Sequence, residues 1–211
     1  MEENHVLSAG TTTIGLVCKD CIVLAADKRA TAGNFIANKK VDKVVPINDK
    51  MALTTSGMVS DIQLLIKLLK AELKLKSIRV EREPNVSEAA NLLTNIIYSN
   101  VRKLSMIPGI THFLLGGTDT KLRLYDLYAD GSITDIDDFV ASGSGGVIAY
   151  GVLEASYKKD LSEAEGVELA IKTVNAAMQR DSASGEGIDV YVINKAGVRK
   201  AAHKKVNTKA E

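Results

Sequence analysis

The run "CIVLAAD", residues 21–27, constrains this chain more than any other stretch. It is apolar at successive positions, with no polar alternate before Asp27. Side chains along a strand point alternately to opposite faces. A strand without polar alternates is therefore expected to be buried on both faces. The preceding "TTTIGLVC", 11–18, reads as its hairpin partner across Lys19-Asp20. "KVDKVVPI" and "KMALTTSG" read as two more strands, so four strands precede any helix.

Two helices follow. Ile62, Leu65, Ile66, Leu69 and Leu73 recur at helical spacing within 60–80, and Ser60 and Gln63 have capping-box spacing. After Pro84, Asn85 and Glu88 stand in the same relation, ahead of an apolar face from Val86 to Leu104. Pro108-Gly109 ends that section. "THFLLGG" and "KLRLYDLYADGSI" return to strands, with a hairpin turn at Asp130-Gly131. "DFVASGSGG" leads into a helix near 146–158. Ser162 and Glu165 box the start of another at about 163–180. "IDVYVIN" and "VRKAAH" close the chain as strands. Hairpins dominate and strands are apolar throughout, which predicts an α+β fold. Two mostly antiparallel sheets should lie face to face with a helix pair on each outer face, as a four-layer αββα sandwich. No linker, repeat or low-complexity stretch divides it, so a single domain is expected.

Composition narrows the function. The chain is 45% hydrophobic and 25% charged with a net charge of +1. That balance fits a folded protein with no general pull toward nucleic acid or membrane. No apolar run approaches the ~18 residues needed to span a bilayer. The first ten residues carry acids and no apolar signal core, so a cytoplasmic location is expected. The segment Arg199–Lys209 is basic and reads as a solvated tail, from about residue 201 to 211. Cys18 and Cys21 form C-x-x-C, a redox spacing when it opens a helix. Here it flanks a turn between strands, which favours a structural reading. No His cluster accompanies it for zinc. No metal and no cofactor are called for.

The usual nucleophilic machinery is missing. His5 and His203 lie near the ends, and His112 falls in an apolar strand, where it reads as a satisfied sheet residue. No G-x-S-x-G, H-E-x-x-H or P-loop occurs. A threonine at a chain N-terminus needs none of these, because its own α-amine, with a pKa of ~7.7–8.0, can take the hydroxyl proton. Gly10–Thr11 could supply one if the leader 1–10 were removed. Thr11 Oγ would attack the Gly10 carbonyl, and water would hydrolyse the ester. Read alone, the same residues are an ordinary strand start. Likewise Asp27 alone is a strand end, Lys43 a charge on a strand, "SGSGG" a glycine-rich turn and "RDSASG" a helix stop.

Taken together, "TTTIG" after a glycine, "AADKRAT", "DKVVPI", "TTSGMVSD", "GSGGVIAYGVLE" and "QRDSASGEGIDV" resemble the 20S proteasome β subunits, archaeal type, over essentially the whole chain. The resemblance implies a threonine-type endopeptidase made as a precursor, with residues 1–10 as propeptide and 11–211 as the mature domain. It puts Thr11 at the nucleophile position and Asp27 and Lys43 at the family's acid–lysine pair. Ser144, Asp181 and Ser184 match the group that orients the amine. Gly57 matches the backbone oxyanion donor. Thr12 and Thr13 are left as strand residues. Thr31, Gly57 and Val59 match positions that pair with an extended peptide. Ala30, Val41, Val45 and Thr55 match the primary specificity pocket, whose small uncharged side chains imply cleavage after hydrophobic residues.

The same resemblance implies seven-membered β rings stacked between rings of α subunits, with an ATPase feeding unfolded protein through the α ring. Neither nucleic acid nor a membrane is an expected partner. Two rival readings stand beside it. One is a structural or weakly active β subunit in a mixed ring. The other is a different N-terminal-nucleophile amidohydrolase, such as the simpler ATP-dependent bacterial relative.

Overall fold

Residues 13–27 fold as expected, as the hairpin β1 (Thr13–Val17) and β2 (Ile22–Asp27). At its turn the Cys18 N–H donates to the Cys21 carbonyl at 2.9 Å. The computed structural model describes residues 10–106 and 109–205. Residues 1–9, 107–108 and 206–211, and with them most of the expected leader, Pro108 and the end of the expected tail, lie outside the described residues.

All six residues of β2 are buried. Val23 and Ala25 pack into one apolar cluster, while Ile22, Leu24 and Ala26 pack into another on the opposite face. The missing polar alternation is thus the signature of a strand between two cores.

A short ribbon follows, β3 (Ala30–Ala32) and β4 (Phe35–Asn38), which was not among the expected strands. It is largely exposed, and so it carries no apolar period to reveal it. The next hairpin is β5 (Val44–Asn48) and β6 (Met51–Gly57). The strand expected from residue 40 therefore begins only at Val44.

Helices α1 (Val59–Val80) and α2 (Val86–Val101) come next. The Asn85–Glu88 capping box forms in both directions, at 2.8 Å each way. The expected Ser60 box does not. Met58 is the N-cap, and its N–H donates to the Ile110 carbonyl at 3.0 Å. That tertiary bond starts α1 before Ser60, whose hydroxyl donates to Asp61 instead.

Strands β7 (Thr111–Thr118), β8 (Leu122–Leu127), β9 (Ile133–Ile136) and β10 (Phe139–Ser142) precede α3 (Gly146–Ser156) and α4 (Glu163–Met178). β10 was expected only as a lead into a helix. The Ser162–Glu165 box opens α4. The chain closes with β11 (Gly187–Asn194) and β12 (Gly197–Lys205). The basic segment from residue 201 is therefore strand as far as Lys205, not tail, and Lys200 is held by Asp189 at 2.8 Å.

One five-stranded sheet has the order β10-β1-β2-β11-β12 and the other β5-β6-β7-β8-β9. Every pairing is antiparallel. α3 and α4 cover the first sheet through Leu153, Leu169 and Val174. α1 and α2 cover the second through Leu65, Leu69, Leu93 and Ile97. Ile22, Leu24, Leu114, Leu124 and Ile193 fill the space between the sheets. This is the α+β four-layer αββα sandwich. Among the described residues, no helix is long and apolar enough to cross a membrane.

Candidate active site

The β1–β2 register pairs Thr13 with Ala26, so Thr12 comes opposite Asp27. Residues fifteen apart in sequence thereby meet at the open end of the hairpin. Asp27 is fully buried. Its Oδ1 accepts from Thr12 N–H at 2.9 Å and Lys43 Nζ at 2.8 Å, and its Oδ2 accepts from Arg29 N–H and Gly185 N–H at 2.9 Å each. A buried carboxylate needs this degree of pairing.

Lys43 reaches the site from the segment before β5. The Val41 N–H bonds the Lys28 carbonyl, and the Lys43 carbonyl accepts from Thr55 N–H. Burial pushes the Lys43 ammonium below its ordinary value, and the Asp27 charge only partly opposes this. Lys43 Nζ also donates to the Gly10 carbonyl oxygen at 3.3 Å. The Thr11 hydroxyl donates to the same oxygen at 2.6 Å. Thr31 Oγ1 accepts from Gly10 N–H at 3.2 Å.

The backbone nitrogen of Thr11 donates to Ser144 Oγ at 3.1 Å. Ser144 Oγ in turn donates to Asp181 Oδ2 at 2.7 Å, and Ser184 Oγ donates to the same oxygen at 2.6 Å. Thr12 Oγ1 lies 2.7 Å from Ser184 Oγ. Thr12, expected to be only a strand residue, is thus tied to both Asp27 and Ser184. Arg29 holds the 182–186 loop through the Ser182 carbonyl at 2.8 Å and Glu186 at 3.0 Å. It stands two residues after Asp27 in "ADKRAT", where nothing local links it to a loop 153 residues away.

Two glycines allow close backbone approaches around the site, Gly143 against Thr11 and Gly57 against Ile110. Gly143 has φ +85°, and a Cβ there would lie 2.1 Å from the Thr11 carbonyl oxygen. Gly57, at the end of β6, has φ +114°, and a Cβ there would lie 2.3 Å from the Ile110 carbonyl oxygen. Both are conformations that L side chains rarely adopt.

A cleft beside Thr11 and Lys43 is lined by Ala30, Val41, Thr55, Gly57 and Val59, together with Ile62 of α1. The sequence marks Ile62 only as part of the apolar helical repeat. Val45, expected in this pocket, is not in its lining. It packs half-buried against the cluster under α1 and α2, because on β5 its side chain points away from Val44, which faces the other sheet.

Cys18 and Cys21 are buried at the far end of the hairpin. The hydrogen bond between the two thiols, together with burial, pushes Cys18 far above its ordinary range, and the same bond lowers Cys21. Among the described residues no group of three His, Cys, Asp or Glu side chains could hold a metal.

The family model for "Proteasome subunit" matches residues 7–193. The chain is 48% identical to a Ferroglobus placidus protein described as proteasome subunit beta, over 87% of this chain and 86% of the relative. It is 44% identical to an Aeropyrum pernix proteasome subunit beta 2, over 92% and 87% of the two chains. A Thermococcus gammatolerans proteasome subunit beta 1 is 43% identical, over 90% and 92%.

Proposed function

Because the chain belongs to the proteasome subunit family, as a β subunit of archaeal type, we propose that it is a threonine-type endopeptidase that releases its own nucleophile by cutting Gly10–Thr11. The observation that carries this reading is the pair of donors on the Gly10 carbonyl oxygen, Thr11 Oγ1 at 2.6 Å and Lys43 Nζ at 3.3 Å. The hydroxyl sits against the bond it would break, and a cation is aimed at the oxygen that would gain charge.

In self-cleavage, Thr11 Oγ adds to the Gly10 carbonyl carbon and Lys43 supports the oxyanion. The C–N bond breaks, and the hydroxyl proton ends on the Thr11 nitrogen. Gly10 is left as an ester on Oγ. Water hydrolyses that ester, freeing the leader with a Gly10 carboxylate and leaving Thr11 with a free amine and hydroxyl. Ser144 Oγ, which already accepts from the Thr11 nitrogen at 3.1 Å, then holds the new amine. Asp181, bonded by both Ser144 and Ser184, fixes that orientation.

On a peptide, the amine takes the Oγ proton and Oγ attacks the scissile carbonyl. Gly57 N–H receives the oxyanion. The amine returns the proton to the departing nitrogen, and water clears the acyl-enzyme. Thr31, Gly57 and Val59 would pair with an extended substrate as added strand. The Ala30, Val41, Thr55, Val59 and Ile62 lining favours an uncharged side chain before the cut bond. Assembly would follow the family, with seven-membered β rings between α rings in the cytoplasm and an ATPase supplying unfolded protein.

Intact mass of the chain after assembly with its α partner tests this. Loss of residues 1–10 in the wild type, with Thr11→Ala left whole, is the expected result. An uncut wild-type chain in a complete particle would favour a structural β subunit instead. Rapid hydrolysis of an arginyl reporter with no turnover of leucyl or aromatic ones would overturn the specificity.

A further inference from the structure

A second polar array lies between the two sheets, separate from the cluster around Thr11. His112 is on β7, where Phe113 and Leu115 face the helices and Leu114 faces the other sheet. His112 shares the parity of Leu114, so its ring enters the gap between sheets. On its own sheet Nε2 bonds Asp126 of β8. Across the gap Nδ1 pairs with Ser142 Oγ of β10 at 2.7 Å. The Tyr128 ring packs on the imidazole with centroids 4.4 Å apart. Asp126 and Ser142 are buried, at 4% and 5% exposure.

A polar bridge here replaces apolar contact beside the cluster of Leu, Ile, Val and Ala between the sheets, which costs desolvation unless each group is paired. Its ends adjoin the two walls of the candidate site. Ser142 precedes Gly143, whose backbone presses on Thr11, and lies two residues before Ser144, which accepts from the Thr11 nitrogen. His112 pairs with Ser56 in the β6–β7 ladder, one step from the Thr111–Gly57 pair. Ser142 and Thr13 pair in the first sheet. The nucleophile and its oxyanion donor therefore belong to different sheets, and this array joins those sheets beside both.

We propose that His112, oriented by Asp126, is a positioning residue for the peptidase, acting through Ser142 to set the spacing between Thr11 and the Gly57 N–H. This rests on the function proposed above. Ser, His and Asp also make hydrolytic triads, but the Ser142 hydroxyl is buried behind the β1–β10 ladder, where bracing is open to it and attack on a peptide is not. A misplacement of about 1 Å between reacting groups can cost on the order of a hundredfold in rate, so loss of one brace should be visible in turnover.

The test uses particles assembled with the α partner and carrying His112→Ala, His112→Gln, Ser142→Ala or the His112→Ala/Ser142→Ala double change. kcat and KM for a hydrophobic fluorogenic peptide are measured per chain that begins at Thr11, counted by mass spectrometry. The expected result is a roughly tenfold fall in kcat for either alanine variant, with KM within about twofold. The double variant should be no slower than the slower single, because both changes break one link. His112→Gln, whose side-chain amide can still hydrogen-bond Ser142 Oγ, should recover most of the rate. A purely structural histidine would lower the melting temperature and leave kcat per processed chain unchanged. Single variants within about twofold of wild-type kcat, or losses that multiply in the double, would overturn the inference. If His112→Ala does not assemble, Ser142→Ala, which removes one hydroxyl, decides the same point. A wild-type particle with no turnover would overturn the proposed function, and this inference with it. An active wild type with unaffected variants would overturn this inference alone.

Discussion

Lys43 Nζ lies 2.8 Å from Asp27 Oδ1, and both side chains are almost wholly buried. Their remaining partners differ. Asp27 also accepts from three backbone N–H groups, while among the described residues Lys43 otherwise donates only to the Gly10 carbonyl. The two ends of the pair should therefore respond differently to mutation. Lys43→Met should abolish processing and turnover yet cost only about 1 kcal/mol, since Asp27 keeps its donors. Asp27→Ala strands a buried cation and should cost about 3–5 kcal/mol. Thermal melts of assembled particles should rank Asp27→Ala well below Lys43→Met, and equal melts would contradict this account of the pair.

Gly57→Ala should damage both stability and rate. The new Cβ meets the Ile110 carbonyl oxygen at 2.3 Å, and φ is +114°. Strain of about 1–3 kcal/mol is expected, together with at least a roughly tenfold fall in kcat as the proposed oxyanion donor shifts. Peptide kinetics beside a denaturation curve would separate the two effects. An unimpaired kcat would remove Gly57 from the chemistry.

The cluster around Asp189 should govern stability in acid. Burial alone would raise this carboxyl, but hydrogen bonds from Lys200, Lys28 and His203 outweigh it and hold it at about 2, against an ordinary 3.8. The folded state thus prefers the ionised form. Its contribution, about 2 kcal/mol, is fully present above about pH 4 and is lost as the pH falls toward 2. Asp189→Asn should be less stable at neutral pH and show a flatter decline between pH 4 and 2. Melting temperatures across that range check it, and parallel curves would rule out Asp189 as the titrating group.

Replacing Cys18 with Ser and Cys21 with Val should leave peptide turnover within about twofold of wild type. Both side chains are buried at the turn of the β1–β2 hairpin, away from the end that carries Thr11. Abolished turnover in a correctly assembled particle would restore a redox role for the pair.

Much of this protein is written locally. The unbroken apolar run 22–26 specifies a strand between two cores, because period-two geometry allows no other placement for such side chains. The capping boxes at Asn85 and Ser162 mark two helix starts, since each is closed by residues three apart. The short turn after Cys18 brings residue 12 opposite Asp27. The proposed role of Thr11 as nucleophile rests on a resemblance across many motifs, none decisive alone.

Tertiary structure decided what no local pattern encodes. The link between Thr12 and Ser184 joins residues 172 apart, and Arg29 reaches a loop 153 residues on. The exposed β3–β4 ribbon has no apolar period, and the start of α1 is set by a bond from Met58 to Ile110. His112 looked like one polar residue in an apolar strand, yet it pairs with Asp126 on the neighbouring strand and with Ser142 on the facing sheet. Periodicity along a chain reports which face of an element is buried. It carries no information about which residue of a second sheet will lie across the gap, because that depends on how the two sheets stack and in what register.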